Sequence, residues 1–159
     1  MGLTNLYVNN LSSLLVKHNF LSVYPYDLFP LSILNQQHPC SFIVNLSKST
    51  EPGTHFVCIY VDNNNKLEYF DSYGLAPFLP RLINFITRNY DKRSLYNPYT
   101  IQNLSSYFCG YYCVAFLISK DLGWSIEDFY SVFNNPITND EKVEKFLSVV
   151  IKQYYRNTR

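Results

Sequence analysis

The sequence predicts an α+β fold, in which a small, antiparallel-dominated sheet packs against a central buried helix and further helices flank it. Three observations predict this class. Two β-rich segments, 55–61 and 66–71, are joined by a polar linker that is typical of a hairpin. The segment that starts at Cys109 is apolar on nearly every face, as expected of a helix buried against a sheet. Amphipathic helical segments precede and follow these elements.

The N-terminal half is predicted to contain one helix and three strands. Leucines at roughly helical spacing predict a helix from Thr4 to His18, with Thr4 as its N-cap. Segment 23–30 is rich in Pro and Tyr, so we expect it to be irregular. Apolar runs rich in β-branched and aromatic residues predict strands at 41–46, 55–61 and 66–71.

The C-terminal half is predicted to contain four helices. The spacing of apolar residues places them at 79–90, 109–119, 125–133 and 140–155. Ser125, and either Thr138 or Asn139, are the expected caps of the last two helices. The helix from Cys109 is expected to be the central one, because it has no polar face for solvent.

Length and composition predict one domain spanning 1–159. The chain has 159 residues, of which 47% are hydrophobic and 18% aromatic, enough for one core. No linker or internal repeat divides the sequence. Thirteen Lys and Arg residues balance twelve Asp and Glu residues, for a net charge of +1, and no basic stripe is present. Nucleic acid is therefore not predicted as the main partner.

The apolar runs and the cysteines predict an intracellular protein. The longest apolar run, from Tyr111 to Ile118, is far shorter than the ~20 residues of a membrane-spanning helix, so no membrane partner is expected. The first residues lack the basic leader and cleavage site of a secretion signal. The cysteines are too sparse for the disulfide framework of a small secreted domain, which favours a reducing compartment.

One candidate pair for catalysis lies on the hairpin. His55 begins the first strand and Asp71 ends the second, so antiparallel pairing brings them together. A hairpin folded about residue 63 places the two directly opposite, and one folded about residue 64 places them one diagonal apart. In both registers the side chains share a face of the sheet. A carboxylate beside an imidazole fixes its tautomer, as in a catalytic triad. The alternative interpretation is a surface His–Asp pair.

A candidate nucleophile lies at the start of the buried helix. The positive end of the helix dipole stabilises a thiolate at Cys109, and the unpaired backbone N–H groups there can bind an oxyanion. Gly110 would let a substrate carbonyl approach the backbone, and Gln102 could donate a side-chain N–H to the same oxyanion. A Cys-Gly pair at a helix start can also serve packing alone.

The order of these residues resembles a known protease family. His55, Asp71, Gln102 and Cys109 lie in the segments GTHFVCIYV, YFDSYG and Q-x6-CGYYCVAFL. They resemble the adenovirus-type maturation proteases (adenain) and the wider superfamily that includes the ubiquitin-like protein proteases, from about Phe29 to Leu117. The resemblance implies a Cys-His-Asp triad with a Gln oxyanion donor: Cys109 as nucleophile, His55 as general base, Asp71 as its orienting acid and Gln102 as donor.

The resemblance also implies substrate contacts and shows departures from the family pattern. Phe56 stands where both branches usually carry Trp, so the substrate groove is altered but still aromatic. Tyr73, next to the acid, and Gly110 are the other expected substrate-binding residues. No cysteine lies between Cys58 and Cys109, so the disulfide that tethers the activating peptide of the adenovirus enzymes has no counterpart here. Any activating peptide is therefore expected to bind non-covalently.

The implied activity is that of a cysteine endopeptidase. The resemblance implies processing of viral, or virus-like element, precursor polypeptides at Gly-containing sites, in the host cytoplasm or nucleus or packaged in the virion. Two other activities stay open on the same constellation: an isopeptidase acting on host ubiquitin-like proteins, and an acyltransferase. A non-catalytic binding module is a further alternative, which fits poorly with four catalytic residue types in order.

The remaining cysteines and histidines are expected to be structural. Cys113 follows Cys109 by one helical turn and could bind a metal with His55, but the chain lacks the second closely spaced pair usual at zinc sites. We therefore expect no metal and no cofactor. Cys40 and Cys58 are expected in the core. His18 and His38 are expected at the surface.

Overall fold

A computed structural model describes residues 2–90, 95–96 and 98–159, and it confirms the predicted α+β class. Five helices and five strands occur in the described residues. In chain order they are α1 (Asn5–Leu15), β1 (Asn19–Pro25), β2 (Cys40–Asn45), β3 (Phe56–Val61), β4 (Leu67–Phe70), α2 (Pro80–Asn89), β5 (Leu95–Tyr96), α3 (Cys109–Asp121), α4 (Ile126–Val132) and α5 (Asn139–Asn157).

The strands form one sheet in the order β1-β2-β3-β4-β5. Its centre, β2-β3-β4, is antiparallel, whereas β1 is parallel to β2 and β5 is parallel to β4. In the β3-β4 hairpin, Cys58 pairs with Phe70 and Val61 pairs with Leu67. The hairpin is thus folded about residue 64, the second of the two predicted registers, which sets His55 and Asp71 one diagonal apart.

Both faces of the sheet are buried, and α3 covers one of them. Helix α3 packs against β3, α1 and α5, and its residues from Tyr112 to Ser119 are all buried, so the prediction of a central buried helix is confirmed. Phe70 of β4 stacks on Phe116 of α3 with ring centroids 4.5 Å apart. The opposite face packs under Phe29 and α2, where Phe42 and Phe85 meet edge to face.

Two of the predicted segments were wrong, and the short strand β5 was not predicted. Segment 23–30 was expected to be irregular, but residues 19–25 form strand β1, which carries a bulge between Phe20 and Val23. This strand is mostly half-buried, and among the described residues it pairs with the parallel strand β2 alone. A strand in such a place needs no alternation of apolar and polar residues. Helix α1 ends at Leu15 rather than at His18, because the chain must turn there to enter β1.

The predicted cap residues occupy the N-cap positions of all three helices, and two of them make a capping hydrogen bond. Thr4 accepts a hydrogen bond from the Tyr7 backbone N–H, and Ser125 forms a capping box with Asp128. Thr138 occupies the N-cap position of α5, but its side chain makes no capping hydrogen bond. Within the described residues, no helix has the length and apolar character needed to cross a membrane.

Candidate active site

His55 and Asp71 meet as the hairpin register requires. His55 Nε2 lies 2.8 Å from Asp71 Oδ1. The Asp71 side chain is fully buried and the His55 side chain is 14% exposed, so this is not the surface ion pair of the alternative interpretation. Because Asp71 follows the last residue of β4 and His55 precedes the first residue of β3, the sheet itself fixes their separation.

Tyr73 completes the surroundings of the imidazole. Its ring stacks on the His55 ring, with centroids 4.8 Å apart and an angle of 24° between the planes. Its backbone N–H donates to Asp71 Oδ1 at 2.8 Å, the same oxygen that contacts His55. The carboxylate therefore holds the imidazole at its edge, and the phenol ring covers one of its faces.

Cys109 also interacts with His55, because hydrogen bonding and charge at the thiol both raise the pKa of the imidazole. Since Nε2 contacts Asp71, the ring nitrogen left for the thiol is Nδ1. Burial lowers the pKa of His55, but the hydrogen bonds to Asp71 and Cys109 and the negative charges of both groups raise it, and the pKa is raised to about 9. The protonated form of the imidazole is thus favoured at neutral pH.

Cys109 is the first residue of α3 and is 8% exposed. The preceding residue, Phe108, offers no side-chain cap, so the positive end of a 13-residue helix faces the sulfur without a competing acceptor from the N-cap residue. Cys113, one turn further on, is different. It is fully buried, and burial together with the neighbouring Cys58 raises the pKa of its thiol well above the usual value.

Gln102 lies in the loop before α3, and its amide is held at both ends. The Ser72 hydroxyl donates to Gln102 Oε1, and Gln102 Nε2 donates to the Ser106 carbonyl at 3.0 Å and to the Ser106 hydroxyl at 3.3 Å. Gln102 is 1% exposed. Its role as an oxyanion donor stays a prediction, but the structure ties it both to the turn that carries Asp71 and to the loop that leads to Cys109.

The expected substrate-binding residues have different surroundings. Tyr73 is half-buried beside His55, but Phe56 is only 3% exposed and packs in the core. A Cβ on Gly110 would lie 2.8 Å from Val8 and 3.0 Å from Leu3, so the small size of Gly110 allows α1 to pack on α3. Substrate contacts of these residues stay predictions.

The surface position expected for His18 was wrong. Its side chain is 4% exposed, with Nδ1 at 2.7 Å from Asp121 Oδ1 and Nε2 at 2.7 Å from Ser41 Oγ. Ser41 is fully buried, so no substrate can reach this second Ser-His-Asp array and we regard it as structural. Cys40 and Cys58 are fully buried, which confirms their core positions, and His38 is half-buried.

The structure also shows partners that sequence reasoning missed. Ser72 carries the hydroxyl that contacts Gln102, and no sequence signal marked it apart from its place next to Asp71.

Within the part of the chain that the structure describes, no group of three or more His, Cys, Asp or Glu side chains is arranged to hold a metal ion.

Comparisons with known proteins show a likeness of fold. No protein-family model and no curated protein sequence matches this chain. The central domain of the uncharacterized Lpg1148 protein from Legionella pneumophila has a TM-score of 0.54 and 15% identity, over 98% of both chains. The ASFV pS273R protease has a TM-score of 0.49 and 24% identity, over 69% of this chain and 44% of the protease, so this chain spans less than half of that protein.

Proposed function

We propose that this chain is a cysteine protease that cleaves peptide bonds through Cys109, His55 and Asp71. The observation that carries the proposal is that one imidazole contacts a buried carboxylate and interacts with a thiol at a helix N-terminus. The sequence resemblance to adenain and the ubiquitin-like protein proteases supports the same roles. A packing role alone does not require a buried imidazole between these two groups.

The reaction starts from the form in which His55 already carries the proton on Nδ1 and the Cys109 sulfur is a thiolate. The thiolate attacks the substrate carbonyl carbon, and the backbone N–H groups at the start of α3, together with Gln102 Nε2, stabilise the oxyanion. His55 then protonates the leaving amine, which leaves a thioester on Cys109. Water, deprotonated by His55, attacks the thioester, the acid product leaves, and the thiolate is regenerated beside a protonated His55. Asp71 holds the imidazole tautomer throughout.

We further propose the substrate class that the resemblance implies. The substrates would be precursor polypeptides of a virus or virus-like element, cut at Gly-containing sites inside the host cell or the virion. An activating peptide, if one acts on this protein, would bind non-covalently. An isopeptidase and an acyltransferase use the same residues, so a test of the proposal must separate them.

The proposal is tested with an electrophilic Gly-Gly peptide probe and with a fluorogenic Gly-Gly amide reporter. We expect the probe to label Cys109 by mass mapping, because the sulfur is activated by His55, and we expect Cys109→Ala to abolish both labelling and hydrolysis. Cys113→Ala is the matched control, since Cys113 lies on the same helix but next to Cys58. The probe should still label Cys109 in this variant.

Each other outcome has a defined meaning. Equal labelling of several cysteines, or hydrolysis by Cys109→Ala, contradicts the assignment. Transfer of acetyl from acetyl-CoA to Cys109 without peptide hydrolysis identifies an acyltransferase. Cleavage of a folded ubiquitin-like protein from a lysine side chain, but not of linear peptides, identifies an isopeptidase.

A further inference from the structure

Ser72 lies at the centre of a hydrogen-bonded connection between the acid and the nucleophile. It follows Asp71 and is fully buried. Its carbonyl accepts hydrogen bonds from the backbone N–H groups of Ile101, at 2.9 Å, and of Gln102, at 3.1 Å. Its hydroxyl donates to the side-chain oxygen of Gln102. One residue thus holds both the backbone and the side chain of Gln102.

The contacts of Gln102 continue to the nucleophile's helix. Gln102 Nε2 donates to Ser106, and the Ser106 hydroxyl accepts from the backbone N–H of Phe108 at 3.1 Å. Phe108 is the N-cap residue of α3, directly before Cys109. A continuous set of hydrogen bonds therefore runs from the Asp71 turn, through Ser72 and Gln102, to the start of α3.

These contacts distinguish the two ends of the Gln102 amide. If the amide rotated by half a turn, Oε1 would face the Ser106 carbonyl, and the two oxygens would repel each other without a proton between them. The Ser72 hydroxyl supplies the donor that Oε1 needs in the observed orientation. In a site that is about 1% exposed, water cannot replace that donor easily.

We infer that Ser72 is a positioning residue for the proposed reaction, whose buried hydroxyl orients the Gln102 amide so that its N–H groups face the nucleophile's side of the site. This inference rests on the proposed function. Ser72 touches neither substrate nor reacting atoms; it acts through Gln102. An oxyanion donor is effective only when it is held in place before the transition state forms, and Ser72 provides that restraint.

The test compares Ser72→Ala and Ser72→Thr in the full chain, each alone and combined with Gln102→Ala. Loss of one oxyanion donor costs about 10²–10³-fold in kcat. We therefore expect Ser72→Ala to lower kcat by about tenfold with KM unchanged, and to have no further effect when Gln102 is already Ala. Ser72→Thr keeps the hydroxyl and should retain more activity than Ser72→Ala.

Alkylation of Cys109 by iodoacetamide provides a readout that a merely structural role would change. This reaction forms no oxyanion, so its rate should be the same in the wild type and in Ser72→Ala, and thermal unfolding shows that the variant is folded. The inference is overturned if Ser72→Ala has the kcat of the wild type, or if Ser72→Ala lowers kcat by the same factor in the Gln102→Ala background. It is also overturned if alkylation slows as much as kcat does. If Ser72→Ala does not fold, Ser72→Thr takes its place. Its kcat must then equal that of Gln102→Ala when the two substitutions are combined, and a further loss in the combined variant overturns the inference.

Failure of the proposed function has a different signature. In that case Cys109→Ala is as active as the wild type, or both the wild type and Cys109→Ala fail to hydrolyse the reporter. Either result is seen before any Ser72 variant is compared. If instead Cys109→Ala and Gln102→Ala both lose activity while Ser72→Ala does not, only the inference about Ser72 fails.

Discussion

At the scale of single residues, three groups determine the state of the His55 imidazole. Asp71 contacts Nε2, Cys109 raises the pKa of the ring through hydrogen bonding and charge, and Tyr73 covers one face. The negative charges of Asp71 and Cys109 favour the protonated ring. Cys113 on the same helix is fully buried, and burial raises the pKa of its thiol well above the usual value.

The raised pKa of His55, about 9, predicts the alkaline limit of activity. The leaving amine takes its proton from His55, so kcat/KM should fall as the pH rises through about 9. Asp71→Asn removes the anion that raises this pKa, so the alkaline limb should move to lower pH, and the rate should fall roughly a hundredfold or more. A pH profile of reporter hydrolysis measures both effects.

Asp27→Asn is the control for that profile, because Asp27 bonds Ser49 away from the site. It should leave the alkaline limb in place. An alkaline limb that is identical in the wild type and in Asp71→Asn would show that Asp71 does not set the proton affinity of His55.

The raised pKa of His55 also affects folding stability. The stability that the protonated ring contributes is fully present below about pH 6.5 and is lost as the pH rises through about 9.

At the scale of elements, the turn after β4 determines how the site is assembled. Residues 71–74 form a turn in which the Gly74 N–H bonds the Asp71 carbonyl at 2.8 Å, and Gly74 adopts a φ of +71°. A Cβ at this position would lie 2.6 Å from the Tyr99 carbonyl carbon. The turn therefore packs directly on the backbone of the loop that leads to Gln102.

Two glycines with nearly the same φ allow this packing to be measured. Gly123, at the end of α3, has a φ of +76°, and a Cβ added there would meet no described atom within 4 Å. Gly123→Ala should cost about 1 kcal/mol of unfolding free energy from backbone strain alone. Gly74→Ala adds a clash with backbone atoms, so it should cost clearly more and should also abolish reporter hydrolysis.

Urea unfolding of the two variants, together with hydrolysis rates, checks this prediction. Gly123→Ala should hydrolyse the reporter at the wild-type rate, because the end of α3 lies a full helix length away from Cys109. Equal losses of stability in the two variants, with activity intact in both, would show that the 71–74 turn can move without cost.

At the scale of the whole molecule, a buried polar cluster joins segments far apart in the chain. Asp121, at the end of α3, accepts hydrogen bonds from the backbone N–H groups of Lys17 and His18 and contacts the His18 ring. The other ring nitrogen contacts Ser41 of β2. The cluster therefore fastens the α1-β1 connection to the central helix and to the sheet.

Asp121→Asn tests the contribution of this cluster. Burial raises the pKa of Asp121, but the hydrogen bonds from His18 and Lys17 lower it more, so the pKa lies below the usual value of 3.8. The resulting stability is present above that value and is lost as the pH falls through the lowered pKa. We expect Asp121→Asn to cost about 1–3 kcal/mol at pH 7, and the deficit should shrink toward about pH 3.

Chemical denaturation at the two pH values measures this difference. Glu141→Gln is the control, because Glu141 pairs with Lys145 on the exposed face of α5 and a surface pair contributes little. A deficit for Asp121→Asn that is as small as that of Glu141→Gln, or one that grows on acidification, would contradict the role assigned to the cluster.

Local patterns determined most of the elements of this protein. The hairpin, α2, the buried α3 and the helices after Ser125 all follow from spacing within one segment, and each was predicted within a few residues. Strands β1 and β5 were not, because they lie at the sheet edges and pair in parallel with β2 and β4. An edge strand takes its conformation from its partner, so its own residues carry little signal.

The same distinction applies to the candidate site. Local sequence was enough to predict that His55 and Asp71 meet, because one hairpin joins them, and that Cys109 starts a buried helix. The packing of complete elements determined that this helix end faces His55, that Ser72 contacts Gln102, and that His18 is buried against Asp121, about a hundred residues away. Such contacts depend on how those elements meet in three dimensions, and no local period in a sequence records which surfaces will do so.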